Sequence, residues 1–380
     1  MPAIELYTEI WFPLNVCRFL AAIRLARLGA SSLGLAQVET TMFRSRRDFV
    51  KTAAAAAALT TLPVAAPTTA AGRQMLTPDQ IADLFENLPG DKAFKIVAPP
   101  ANNNPGFLAQ SNAKKRLFVA SAIKTFVLCE ALRQVDSPDV VETLENAEIT
   151  LDSTVWSLGS PTFNPPDLSG IVSERTTLEA MITRSDNTAT DMILKLVGAE
   201  SVRRFVASAG LSQTLVPDST RALTAYVFGA TNYLTITWEE LLQVIQGPLV
   251  HPFFNNVETL TSSADDLVSY YSRALQGQFF KHSETLNEFR RVLTLCDFIY
   301  LVPLPLGVSA YAKSGNADAP GFHARSMAGG LFFSDQWVYF AFVLNWDAES
   351  GDDPDTVDRF FSAIHQALSL VKESLSSRAR

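Results

Sequence analysis

Ser121 and Lys124 stand three residues apart in the string S-A-I-K. A serine hydroxyl is a poor nucleophile until a neighbouring base takes its proton. Positions i and i+3 of a helix share a face, so Lys124 is placed to be that base. A helix N-terminus disfavours a charged ammonium and aims backbone N–H groups at a developing oxyanion, the N–H of Ser121 among them. Two further strings share the pattern, Ser111 to Lys114 and Ser369 to Lys372. Ser111 falls in a polar turn, and Ser369 lies late in a terminal helix, where no N-terminal amides are free. Only Ser121 follows a strand-like segment, L-F-V-A, and opens an apolar helix. The chemistry implied is acyl transfer at a serine.

Two more strings carry compatible groups. In S-D-N, Ser185 to Asn187, the serine can relay a proton to a leaving nitrogen while Asn187 holds a substrate amide. The same residue types also serve as a helix N-cap, and Thr188 to Leu196 continues helically. In K-S-G, Lys313 to Gly315, the cation can hold a carboxylate and assist Ser185. A glycine on an edge strand lets a substrate backbone approach. Either string alone reads as ordinary structure, a cap or a strand exit.

S-x-x-K, S-D-N and K-S-G in this order resemble class A β-lactamases and penicillin-binding proteins, over roughly residues 75–375. The resemblance implies an α+β fold in which an antiparallel sheet flanked by helices faces an all-helical lobe. The sheet side would be about 73–120 and 301–380, and the helical lobe about 121–300. It implies Ser121 as the acylated nucleophile, Lys124 as its base partner, and Ser185 and Asn187 on one wall. Lys313, Ser314 and Gly315 form the other wall, the backbone N–H of Asn316 is a second oxyanion donor, and Arg325 or His323 meets a substrate carboxylate. Neither metal nor cofactor is implied. The expected partner is a small β-lactam or peptidoglycan-type peptide, met by a monomer. The same residues would serve a D-alanyl-type carboxypeptidase or esterase, or a sensing module that acylates and stays acylated.

One part of the pattern is missing. Class A β-lactamases carry a loop glutamate, in E-x-x-L-N, that activates the deacylating water. The matching stretch, Leu215 to Ala225, reads L-V-P-D-S-T-R-A-L-T-A. Ser219, Thr220 or Arg221 falls where the glutamate is expected, and Asp218 is the nearby carboxylate. The span from Ser185 to Lys313 is also long, which implies enlarged loops.

These residues need elements to hold them. The pattern predicts helices over Leu76–Leu88, with Thr77-Pro78 as its start, and over Ser121–Leu132, Leu178–Val197 and Trp238–Gln246. Short strands are predicted at Lys92–Val97 and Gly106–Gln110. Three more, at Val308–Ala312, Met327–Phe333 and Trp337–Trp346, are rich in β-branched and aromatic residues. Asp353 and Pro354 open a last helix whose stripe is Val357, Phe360, Phe361, Ile364, Leu368 and Val371.

The composition sets outer limits. With 47% hydrophobic and 18% charged residues the chain is globular. A net charge of -8 without a basic stripe after residue 75 excludes a phosphate-backbone binder. Cys17, Cys129 and Cys296 and four scattered histidines form no metal-ligand spacing. Cys129 and Cys296 fall in apolar runs, the usual place of a buried structural cysteine.

Residues 45–51, S-R-R-D-F-V-K, precede an alanine run and the small residues Ala70-Ala71. Arg46-Arg47 with Phe49 and Lys51 resembles a twin-arginine signal over about 42–72, which places the mature catalytic region, 73–380, outside the cytoplasm. Met42 is the expected translation start, so residues 1–41 are read as an extension outside the mature protein. A basic amphipathic helix on a membrane surface is the rival reading of that segment.

Overall fold

The computed structural model describes residues 76–378 apart from 102–103, 298–301 and 303. The export signal and residues 1–41 lie outside the described residues.

The chain enters through α1 (Pro78–Glu86), whose Thr77 makes a capping box with Gln80. Then come β1 (Asp91–Ala98), β2 (Phe107–Ser111) and β3 (Leu117–Phe118). A 3₁₀ turn, Ala120–Ile123, runs into α2 (Lys124–Gln134), so the predicted helix at Ser121 begins tighter than an α-helix. There follow α3 (Val140–Asn146), β4 (Glu148–Leu151), β5 (Gly170–Ser173), α4 (Glu174–Thr183), α5 (Asn187–Val197) and α6 (Ala199–Ser208). Next are α7 (Thr220–Val227), α8 (Trp238–Val244), β6 (Thr261–Ser262), α9 (Ala264–Ala274) and α10 (Ser283–Thr294). The chain closes with β7 (Ser309–Ala319), β8 (Phe322–Phe333), β9 (Gln336–Trp346) and α11 (Pro354–Arg378).

Five strands form one sheet in the order β2-β1-β9-β8-β7, every neighbouring pair antiparallel. The last three strands are consecutive hairpins, as their β-branched and aromatic content predicts. They are longer than predicted, and the K-S-G string lies within β7 rather than at its exit.

Strand alternation sends successive side chains to opposite faces. One face of the sheet, with Phe94, Ile96, Met327, Phe340 and Phe342, packs under α1 and α11. The other, with Ala317, Ala324, Ala328 and Val343, joins the core of α2, α4, α5 and α9. The helices of the all-helical lobe pack on this face of the sheet through one core cluster, and α9, bearing Tyr270 and Tyr271, is buried in it.

Leu178–Val197 is predicted as one helix but is two. Ser185 adopts φ 56, outside helical values, and Asp186 then caps α5 through the Ala189 N–H at 2.8 Å.

Candidate active site

Ser121 is set by a strained approach. Ala120, just before Ser121, sits at φ 46, in the left-handed region that non-glycine residues avoid. Strand β7 passes close by. A Cβ on Gly315 would come within 2.8 Å of the Ser121 nitrogen and of Ser326 Oγ, and closer still to Val119 O. Only glycine fits there, and the close pass brings the outer edge of β7 beside the Ser121 N–H. Because β7 is an edge strand, N–H groups beyond Gly315 can serve as oxyanion donors with that of Ser121.

Lys124 is buried one turn after Ser121, and both line the same small pocket. Its ammonium has three N–H groups and three acceptors: Ser185 O, Ser185 Oγ at 3.3 Å and Asn187 Oδ1 at 2.7 Å. Burial, and then the Lys313 charge, pull its pKa well below that of a free lysine; Asp186 and Asp191 pull the other way. The net effect loosens the amine's hold on its proton, the direction a base for Ser121 needs.

Ser185 joins the two lysines. Lys313 Nζ, wholly buried, donates to Ser185 Oγ at 3.1 Å and to Ser314 O at 3.0 Å. Burial lowers the Lys313 pKa as well. The S-D-N string is the helix cap its residue types allow, and it also brings Ser185 to the two lysines. Asp186 is the helix cap and also accepts from the Thr162 and Phe163 N–H groups, while Ser185 faces the two lysines.

Asn187 is brought to the site. Its Oδ1 accepts from Lys124 and its Nδ2 donates to Leu158 O at 2.7 Å, so its amide holds the lysine in place. Ser314 is buried, and its Oγ has no hydrogen-bond partner among the described residues.

Arg325 and His323 are not brought to the cleft, which corrects the sequence expectation. Lys313 and Gly315 pair across β8 with Ala328 and Ser326, whereas Arg325 pairs with Asn316, one residue out of phase. Arg325 therefore lies on the α11 face of the sheet. There it grips Asp318 with Nη1 at 2.9 Å and Nη2 at 2.8 Å, over the Trp346 ring. His323 bonds Asp318 and Ser350 O in the same cluster.

The stretch without a glutamate forms the N-terminus of α7, and none of its residues supplies a base. Ser219 caps the helix through the Ala222 N–H. Arg221 fans out to Trp156 O, Ser153 O and Ile236 O, away from Ser121. Asp218 pairs with Arg203 at 2.8 Å. Thr220 lines the pocket shared by Ser121 and Lys124, but its hydroxyl is turned to Asp191 at 2.9 Å and Ser157 at 2.8 Å. Ile123, Val127, Leu194, Val216, Pro217 and Leu260 supply its apolar lining, with Thr190 beside them.

Asp191 is a supporting residue that the motifs do not reveal. It lies one turn after Asn187 and accepts from the Thr220 and Arg221 N–H groups, fastening α7 to α5. Burial raises its pKa to about 6. Its position four residues on from Asn187 was the available signal.

Cys129 and Cys296 are both free and buried; burial pushes the Cys129 thiol up, which suits a structural role. No group of three His, Cys, Asp or Glu that could hold a metal occurs among the described residues. None of the described helices is long and apolar enough to cross a membrane.

Residues 77–368 match the model of the beta-lactamase enzyme family, and residues 45–63 match the twin-arginine translocation signal. No curated protein matches the chain. Among solved structures, a representative class A beta-lactamase from Bacteroides cellulosilyticus is 19% identical with TM-score 0.59, covering 80% of this chain and 99% of that one. PBP-A is 18% identical with TM-score 0.58, over 83% and 100%. A mutant of PBP-A, determined as an acyl-enzyme complex with penicillin G, is 18% identical with TM-score 0.56, over 79% and 96%. At these identities the likeness is one of fold.

Proposed function

Because the chain belongs to the beta-lactamase enzyme family and carries a twin-arginine export signal, we propose that it is an exported serine hydrolase that opens a β-lactam or related amide through an acyl-enzyme on Ser121. The observation that carries this is the line of polar groups beside Ser121: Lys124, Ser185 and Lys313, each in hydrogen-bond contact with the next.

In the proposed step, neutral Lys124 takes the Ser121 proton as Oγ attacks the carbonyl carbon. The tetrahedral oxyanion is held by the Ser121 and Asn316 N–H groups. Lys124 then passes the proton through Ser185 Oγ to the leaving nitrogen, and Lys313 favours the transient charge on Ser185. Asn187 holds Lys124.

The apolar pocket behind Ser121 favours slow release, so the protein acts more as a penicillin-binding acceptor than as a fast β-lactamase. The fold of PBP-A and its penicillin G acyl-enzyme agree with that reading. Incubation with a fluorescent penicillin and a chromogenic cephalosporin tests it. Stable labelling that disappears in Ser121→Ala and persists in Ser111→Ala is expected. Labelling that survives in Ser121→Ala removes the assignment.

A further inference from the structure

We propose that Arg184, at the lip of the cleft, receives the carboxylate of an anionic substrate, exchanging Asp297 for it. This rests on the acyl-enzyme reading for the identity of the cleft. An anionic substrate needs a cation that solvent can reach. Lys124 and Lys313 are buried and committed to Ser185 and its neighbours, and Arg325 is locked to Asp318 on the far face of the sheet.

Arg184 differs from all of these. It ends α4 directly before Ser185, the residue whose φ of 56 turns the chain at the catalytic groups. Its side chain is 50% exposed, and its Nε lies 3.6 Å from Asp297 Oδ2, itself 34% exposed. The Asp297 N–H bonds Thr183 O at 3.1 Å, so the two segments run side by side. The charge of Asp297 also reaches Lys313, which ties the pair to the Lys313 wall. Arg184 thus adjoins Ser185 in the chain and is paired with a residue whose charge reaches Lys313.

A long, solvent-screened ion pair contributes little, so giving up Asp297 costs little. A carboxylate entering the cleft could instead take the planar guanidinium through two parallel hydrogen bonds, a geometry that lysine cannot copy. Penicillins and peptide C-termini both present such a carboxylate.

The test uses Ser121→Ala protein, which cannot be acylated, and calorimetric titration with benzylpenicillin and with its methyl ester. Adding Arg184→Gln should weaken the anion by roughly tenfold or more, the value of a charge-assisted hydrogen bond, and leave the ester unchanged. Arg184→Lys should recover part of the loss, and Asp297→Asn should tighten the anion. Equal affinities for anion and ester, or equal losses in Arg184→Gln, overturn the proposal. Because no covalent step is involved, failure of the acyl-enzyme reading appears separately, as absent labelling of the unmodified protein.

Discussion

Lys313 Nζ donates to Ser185 Oγ at 3.1 Å, across 128 residues of sequence. The two side chains come from an edge strand and from a helix-breaking turn, and neither element alone would place its residue there. In the proposed mechanism that contact makes Lys313 a partner of the proton relay, and its charge is one of the forces that lower the Lys124 pKa.

Lys313→Ala therefore has two expected effects. Acylation should slow by about 10²–10⁴, the typical worth of a positioned acid–base group. The pH profile should also move. Lys124 works as a base only above its pKa, and removing a neighbouring positive charge raises that pKa, so the acid limb should shift to higher pH. Stopped-flow labelling across pH measures both. A slower rate with an unmoved limb would mean that the two lysines are not electrostatically coupled.

The division between what the sequence discloses and what it hides follows from physics. S-A-I-K is local, and a helical repeat is enough to place Ser121 and Lys124 together. The three final strands and α11 are legible from β-branched and aromatic content and from one apolar stripe. Arg325 was misplaced because a one-residue change of phase moves a strand side chain to the other face, and phase depends on pairing with β7 and β9. The break between α4 and α5 is half legible: S-D-N reads as a helix N-cap, which Asp186 is, but the turn itself rests on the φ of Ser185. The core shared by the helices and the sheet is hidden for a related reason. The burial of α9 against the sheet is a tertiary fact with no periodic signature.

The Asp218–Glu258 contact should make stability fall with pH. Glu258 is buried, its Oε2 accepts from the Asp218 N–H at 3.0 Å, and burial raises its pKa from 4.5 to about 8. A carboxyl raised on folding stabilises fully below 4.5 and loses that contribution as pH climbs through 8. Asp191 acts in the same direction up to about 6. Melting temperatures should therefore drop between pH 5 and pH 8.5. Glu258→Gln should flatten the drop, and an unchanged slope would show that Glu258 ionises normally in the fold.

Export should depend on Arg46 and Arg47. Residues 45–63 match the twin-arginine signal, and that pathway reads an arginine pair that lysine does not replace. Changing both to lysine should leave the precursor inside the cell and deplete the mature form from the envelope fraction on an immunoblot. Deleting residues 1–41 should leave export intact. Loss of export on that deletion would assign those residues a function.

Release of the acyl group should be the slow step, and the cause lies in the pocket behind Ser121. Hydrolysis of the ester needs a water and a base on that side. Ile123, Val127, Leu194, Val216, Pro217 and Leu260 offer such a water no partner, and the Thr190 hydroxyl donates to Asp186 O at 2.7 Å. Thr220 is the polar residue of α7 that reaches this pocket, and its hydroxyl is spent on Asp191 and Ser157. A missing general base costs about 10²–10⁴ in rate, or roughly 3–5 kcal/mol of barrier. A penicillin should thus leave a long-lived adduct on Ser121, visible by intact-protein mass spectrometry. Thr220→Glu should shorten its lifetime, because position 220 borders both Ser121 and Lys124. Arg221→Glu should not, because that side chain points to Trp156 O and Ser153 O, and its loss would leave those carbonyls without a donor. Many turnovers per second on a penicillin, with no adduct at steady state, would mean that another group activates the water and that the pocket fills once the ester forms.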